Sequence, residues 1–320
     1  MSEDGYVVSS NSAGDRLFAV IDGHGGREAV DFLEDHLADY VFHEIDTNGD
    51  DLELALKRSL ERLDRDFLNG VRVERASKKR KRPRRSSQDR NQRVLHAGAC
   101  VVMTLLREDH VYCCNAGDCR AVLGFSSSLV VPLSRDHKAS SSVEMSLLMS
   151  LCKTDPVPVR RTKNVKESNA KSFQHLPLRV AGSLAVTRAV GDAYLKLPDL
   201  SYPPYDAHVP YLSYPCNGEV ISRNIGSDSS SKENGIVLIL ASDGLWDFVS
   251  SDEAIGLCQM IASSSTTTTC QGLASKILDH TLESIASSFR ISQDKLKRFK
   301  PGKKRRKFHD DITILVVRLS

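Results

Sequence analysis

The sequence predicts an α+β fold in which sheets and helices are stacked in layers, and two observations carry that prediction. Strand-like and helix-like segments are grouped along the 320 residues rather than strictly alternating, which disfavours a doubly wound fold. Short apolar runs also end against, or begin from, acidic residues in Val20-Ile21-Asp22-Gly23-His24-Gly25-Gly26, Asn115-Ala116-Gly117-Asp118, Leu240-Ala241-Ser242-Asp243-Gly244 and Asp310-Asp311-Ile312-Thr313-Ile314. Separate strands therefore aim carboxylates at one place.

Leu17 to Ile21 reads as a buried strand, and Gly25-Gly26 hinges it to a helix over Arg27 to Phe42, where Val30, Leu33, Leu37 and Val41 recur at helical spacing. A second helix is expected from about Asp51 to Leu68, with Leu52, Leu56, Leu60, Leu63 and Phe67 on one face. Val71 to Arg93 then reads as a disordered basic insertion, because Lys78-Lys79-Arg80-Lys81-Arg82-Pro83-Arg84-Arg85 offers no apolar face. Cys100 to Leu106, His110 to Asn115 and Arg120 to Phe125 read as consecutive strands of a meander, with Asp118 in the tight turn between the last two. Ala139 to Pro177 is assigned as a flap with a short helix near Val143 to Leu151. Beyond a Ser-rich loop at Ser227 to Lys232, Ile236 to Ala241 reads as a strand. Asp252 to Ala262 follows as a helix capped by Ser250 or Ser251. Ser263 to Thr269 reads as linker, Gln271 to Ser287 as a helix, Lys295 to Lys307 as a basic run, and Ile312 to Leu319 as a buried closing strand.

With 40% hydrophobic residues the chain can bury a full core, and the motifs favour one domain over two. A net charge of +3, from 44 basic and 41 acidic residues, sets up no field that demands nucleic acid or membrane. The eight cysteines show no paired C-x-x-C spacing, so zinc is not expected, and buried free thiols in a reducing compartment are. No stretch reaches the ~20 apolar residues of a membrane span. The reading is a soluble intracellular monomer of the nucleus or cytoplasm, and a mitochondrial leader upstream of Met1 is left open.

Each residue type in Asp22-Gly23-His24 suits metal-assisted hydrolysis. A carboxylate can bridge two cations, glycine lets its carbonyl approach one closely, and an imidazole can lend a proton near neutral pH. Taken alone, each aspartate reads first as a turn former or helix cap, and His24 as an ordinary turn histidine. Taken together, the carboxylates would repel one another unless hard divalent cations gathered them. Such a pair of ions activates water and clamps a phosphoryl group for in-line attack, and His24 would protonate the leaving oxygen.

The chain resembles the protein phosphatase 2C family of metal-dependent serine/threonine phosphatases. The similar segments are Glu3-Asp4-Gly5, Phe18 to Gly26, Asn115 to Leu123, Asp136-His137-Lys138, Gly182 to Asp192, Ala241 to Asp247 and Asp310 to Thr313. The resemblance implies a four-layer α/β/β/α sandwich with two central antiparallel sheets, and a pair of Mg²⁺ or Mn²⁺ ions at one end. On matching positions it implies Asp22 as the bridging ligand, with the Gly23 carbonyl, Asp243 and Asp310 as further ligands and Glu3 nearby. Asp118, with Asp243, would hold a weaker third ion, and His24 would be the general acid. Arg188, Asp192 and Trp246 are expected to brace the site from behind. Tyr194-Leu195-Lys196, Pro203-Pro204-Tyr205 and Arg305 to Thr313 are similar to the branch of pyruvate dehydrogenase phosphatases and plant clade D enzymes.

Three departures stand out. The family's arginine before the Glu3 match, which helps to bind substrate phosphate, has no counterpart after Met1, and a truncated N-terminus is expected. Cys100 stands where threonine is common, a change expected to be tolerated packing, and the flap matches poorly. The reading is thus a single catalytic domain over residues 1–320, with an insertion at about 71–93 and a flap at about 139–177, acting on phosphoprotein substrates. The alternative is a catalytically impaired scaffold, which retention of the costly carboxylates disfavours. Nucleic-acid binding by the basic runs would be weak and salt-sensitive without interleaved aromatics, and a solvated loop or a signal for a nuclear-import receptor at Lys78 to Arg85 fits them better.

Overall fold

The computed structural model describes residues 2–49, 51–79, 93–125, 129–152, 159–161, 178–226, 235–264, 269–300, 302 and 304–319. Strands β1 (Gly5–Ser10), β2 (Arg16–His24), β3 (Gly98–Arg107), β4 (His110–Ala116) and β10 (Glu219–Asn224) form one sheet in the order β1-β2-β3-β4-β10, and β9 (Val190–Gly191) pairs with the start of β3. The other sheet has the order β12-β11-β5-β6, from β5 (Arg120–Phe125), β6 (Leu129–Pro132), β11 (Ile236–Ala241) and β12 (Ile314–Leu319). A separate hairpin joins β7 (Val159–Arg161) to β8 (Leu178–Val180), and every named pairing is antiparallel.

Helices α1 (Glu28–Asn48) and α2 (Leu52–Lys79) cover the first sheet. The short helices α3 (Ser142–Leu151), α4 (Ala193–Lys196) and α5 (Asp243–Trp246) lie in connections. Helices α6 (Ser251–Ser264) and α7 (Cys270–Ser288) cover the second sheet, and α8 (Gln293–Lys297) follows.

Side-chain alternation builds the layers. In β3, Ala99, Val101, Met103 and Leu105 face the leucines of α1 and α2, whereas Cys100, Val102 and Leu106 face the second sheet. In β11, Leu238 and Leu240 meet that middle core while Val237 and Ile239 pack under α6 and α7. The result is the expected α/β/β/α sandwich, and a β3 buried along both faces reads as a continuous apolar run for that reason.

Three expectations change. The segment Cys100 to Phe125 is not a meander: β4 pairs with β3, but β5 pairs with β11 and β6. The chain crosses between sheets at 117–119, which carries Asp118 to the end of the sandwich rather than to a hairpin tip. Helix α2 runs past Leu68 to Lys79, because Val71 is buried, Arg72 forms a two-pronged ion pair with Asp199 and Arg75 donates to the Leu200 carbonyl. Arg80 to Arg85 lies outside the described residues, as do the Ser-rich loop at 227–234 and much of the flap. Asp310 does not head the last strand, which begins at Ile314.

The caps follow the sequence more closely. Ser250 caps α6 through a reciprocal box with Glu253, whose carboxylate accepts the Ser250 N–H at 2.8 Å while Ser250 Oγ accepts the Glu253 N–H at 3.2 Å. All eight cysteines are free, and all but Cys270 are buried. No helix among the described residues is long and apolar enough to cross a membrane.

One ion pair ties the β1–β2 turn to the end of β3. Buried Asp15 accepts from Arg107 Nε and Nη2, both at 2.7 Å, and these bonds hold its carboxyl below the usual range despite burial. Its contribution is therefore present above the unfolded value, near 3.9, and is lost as pH falls through the folded one. Asp15→Asn is expected to cost about 1–2 kcal/mol at pH 7 and less at pH 3. Urea titrations at the two pH values check this, and an equal cost at both would exclude the pair as the cause.

Candidate active site

The seven residues singled out in the sequence as catalytic or metal-binding line one cleft of about 220 Å³ at an end of the sandwich. Asp22, Gly23 and His24 end β2, in register with Cys100, Ala99 and Gly98 of β3. Glu3 precedes β1, Asp118 sits in the sheet crossover, Asp243 opens α5 just beyond β11, and Asp310 precedes β12. Strand ends from both sheets thus deliver the acidic groups.

Asp22, Asp118 and Asp243 each place a carboxylate oxygen within 4.8 Å of the others. Burial first, and then the neighbouring carboxylates, push the Asp22 carboxyl well up and that of Asp243 up to about 7. Among the described residues no hydrogen bond or ion pair reaches the Asp22 or Asp243 carboxylate, so the oxygens are free to accept cations. Asp118 is partly compensated, with Lys138 Nζ at 3.7 Å and the Cys100 thiol donating at 3.3 Å. Cys100 is therefore more than tolerated packing: it contacts the carboxylate proposed for the weaker ion.

Local packing keeps the cluster open. A Cβ on Gly23 would come within 2.4 Å of the Glu3 carbonyl oxygen, so the close passage of β2 beside residue 3 requires glycine. Buried Asp4 accepts from Ser242 Oγ at 2.9 Å and Thr313 Oγ1 at 2.8 Å, and this joins the N-terminal segment to the ends of β11 and β12. Asp311 accepts the Glu3 N–H at 2.8 Å and pairs with Arg305.

His24 has a partner that sequence spacing did not indicate. Its Nε2 lies 2.8 Å from Asp192 Oδ2, and the space exists because a Cβ on Gly98 would come within 2.4 Å of both groups. Burial lowers the imidazole's proton affinity, but the Asp192 carboxylate outweighs it and the net shift is upward. Asp192 thus braces the candidate acid by direct contact. Arg188 makes its ion pair with Glu144 instead, with Nε and Nη2 at 3.0 and 2.6 Å. The Trp246 indole donates to the Ala241 carbonyl at 2.9 Å and lies beneath the Arg120 guanidinium.

Two arginines that the sequence reading left out also line the cleft, Arg179 from β8 and Arg306 from a 3₁₀ turn at Arg305–Lys307. Arg306 pairs with Glu3 and places Nε 3.4 Å from Asp310. The basic run is therefore not wholly a solvated loop. No spacing signal marks Arg306, since a run of lysines and arginines reads the same whichever member turns inward.

The family model for "Protein phosphatase 2C" matches residues 3–154 and 160–288. The chain belongs to the protein phosphatase 2C family. It is 30% identical over 329 residues to an Arabidopsis thaliana protein named "Probable protein phosphatase 2C 38", covering 98% of this chain and 75% of that one. A second Arabidopsis thaliana relative, "Probable protein phosphatase 2C 67", is 29% identical over 99% of this chain and 78% of its own length. The crystal structure of serine-threonine phosphatase 2C from Toxoplasma gondii shares the fold, with a TM-score of 0.61 at 19% identity over 99% of this chain and 90% of that one. A C. elegans sex determining protein has a TM-score of 0.65 at 19% identity over 99% of this chain and 61% of that one. Membership makes this chain a protein serine/threonine phosphatase of a metal-dependent family, and its carboxylate cluster draws on the end of β2, the crossover between the sheets and the residue opening α5 after β11.

Proposed function

We propose that this family member hydrolyses phosphoserine and phosphothreonine in protein substrates at a centre for two Mg²⁺ or Mn²⁺ ions, with Asp22 as the bridging ligand. The Gly23 carbonyl, Asp243 and Asp310 would complete the ligand set with Glu3 beside it, and Asp118 with Asp243 would hold a weaker third ion. The observation that carries this reading is the cluster of Asp22, Asp118 and Asp243, with oxygens within 4.8 Å and no protein cation on Asp22 or Asp243 among the described residues. An all-oxygen donor set of this charge suits hard divalent cations. Cations held there supply Lewis acidity toward a phosphoryl oxygen and lower the pKa of water.

The protein's own groups handle the leaving side. Asp192 holds His24 Nε2, which fixes the ring and favours its protonated form, and leaves Nδ1 to give its proton to the departing seryl or threonyl oxygen. None of the proposed roles uses a cysteine nucleophile, so no phosphoenzyme should form. The buried thiols Cys100 and Cys119, nearest the cluster, are held well above their usual pKa by burial and by neighbouring carboxylates.

The purified chain is expected to cleave phosphoserine and phosphothreonine peptides with Mg²⁺ or Mn²⁺ and to lose that activity on chelation. His24→Ala should slow peptide hydrolysis by about 100-fold or more and hydrolysis of an aryl phosphate far less, because an aryl oxide leaves without a proton. Turnover that survives exhaustive chelation, or a trapped phosphoenzyme, would sink the reading. Equal losses on the two substrates would remove His24 from the acid role.

A further inference from the structure

We infer that Arg306, carried on the C-terminal basic turn, is the residue that receives the substrate's phosphate group. This rests on the phosphatase reading above and adds a substrate-binding residue to it. A phosphate monoester is a dianion, and the cleft that must admit it is lined by the carboxylates of Glu3, Asp22, Asp118, Asp243 and Asp310. His24 is already held by Asp192, and among the described lining residues the only arginine or lysine side chains are Arg179 and Arg306. Their geometry separates them. Arg179 Nη1 donates to the Ser183 carbonyl at 2.9 Å, a contact within its own β-hairpin region. Arg306 reaches the acidic groups themselves, donating from Nη2 to Glu3 and facing Asp310 from Nε.

A guanidinium carries five N–H donors in a planar fork, and these two contacts leave donors over. Among the described residues Nη1 of Arg306 has no partner, and the side chain is 43% exposed at the cleft. Such a fork matches two oxygens of one phosphate. Its backbone is also well placed to hold it there. The Arg305–Asp311 ion pair fixes one side of the 3₁₀ turn, and Phe308 stacks on Phe299 at 5.0 Å and meets Phe289 edge-on at 5.3 Å on the other. Little ordering remains to be done when the anion arrives.

A purely structural role for Arg306, neutralising Glu3 and Asp310, predicts different behaviour. Binding of inorganic phosphate to the full chain in saturating Mn²⁺ would be measured by calorimetry, alongside Mn²⁺ affinity, for the wild type and for Arg306→Met, Arg306→Lys and Lys307→Met. Arg306→Met is expected to weaken phosphate about tenfold or more, with Arg306→Lys between it and the wild type, because an ammonium keeps the charge and loses the fork. Lys307, exposed and outside the cleft lining, is the equal-charge control, and its loss should change phosphate affinity by no more than about twofold. On an aryl phosphate, Arg306→Met should raise KM and the phosphate inhibition constant more than it lowers kcat.

Unchanged phosphate affinity in Arg306→Met would overturn the proposal, as would a wild type that binds no phosphate. So would a loss that disappears when Mn²⁺ is raised, since the arginine would then act only through the metal ligands. A wild type that binds phosphate through Arg306 but cleaves no phosphopeptide would retain the anchor and refute the phosphatase reading. Robust peptide cleavage with an unaltered KM in Arg306→Met would do the reverse.

Discussion

Asp243→Asn is expected to cut phosphopeptide turnover by about 100-fold or more and, in the same protein, to raise the melting temperature of the metal-free chain. The two effects share one cause. Asp243 stands among acidic groups with no protein cation bonded to its carboxylate among the described residues, and its carboxyl is pushed up to about 7 by burial first and then by the charges of Asp118, Asp247 and Asp310, against the opposing charge of Lys138. Ionised, it is a cost to the folded chain that a bound cation would remove. An amide removes the repulsion and also removes a ligand charge, so the variant should melt higher in chelator and gain less from added Mn²⁺. Asp22→Asn should behave alike, with a larger loss of turnover if it is the bridging ligand. Thermal melts with and without Mn²⁺, read beside phosphopeptide kinetics, provide the check. A variant that melts lower in chelator would show that Asp243 is a structural group, and retained turnover would take it out of the centre.

Lys196→Met is expected to destabilise the fold by about 3–5 kcal/mol, because it leaves a fully buried carboxylate without its cation. Lys196 and Asp64 have no exposed side-chain surface and meet at 2.8 Å. Asp64 also accepts the Gly191 N–H and the Cys216 N–H, each at 2.8 Å, while Lys196 donates to the Ala189 carbonyl. The pair thereby pins α2 to the loop that presents Asp192 to His24. At this chain length the loss corresponds to a melting-temperature drop of about 5 °C or more. Asp64→Leu combined with Lys196→Met should cost less than the two single changes added together, since neither charge is then stranded. Additive costs would show that the two residues act independently. The single variant should also impair phosphopeptide turnover more than aryl phosphate turnover, because its nearest link to the chemistry runs through Asp192 and His24.

Much of the layered architecture was legible in the sequence, for local reasons. The leucine spacing of α1 and α2, the apolar runs of β2, β3 and β11, and the Ser250–Glu253 box follow from periodicity and capping chemistry that act within a few residues. The acidic groups were legible too, because a carboxylate beside a short apolar run is unusual enough to mark, and Asp22, Asp118, Asp243 and Asp310 all line the cleft. Helix α2 misled because its last turns lack an apolar stripe of their own and are held by contacts to Asp199 and Leu200, residues that are distant in sequence. The meander misled because a strand pattern reports which face is buried and not which neighbour supplies the hydrogen bonds.

The sequence by itself determined the element types, the family and the set of acidic groups with Gly23 and His24. Those are properties of residue identity and short-range spacing. Only the tertiary structure decided that β4 and β5 belong to different sheets, that Asp192 rather than solvent meets His24, and that Arg306 turns out of a basic run to face Glu3 and Asp310. Each of these joins segments through contacts that carry no periodic signal. A carboxylate near an imidazole, or an arginine near a carboxylate, stabilises by distance and burial, and the folded chain alone sets both.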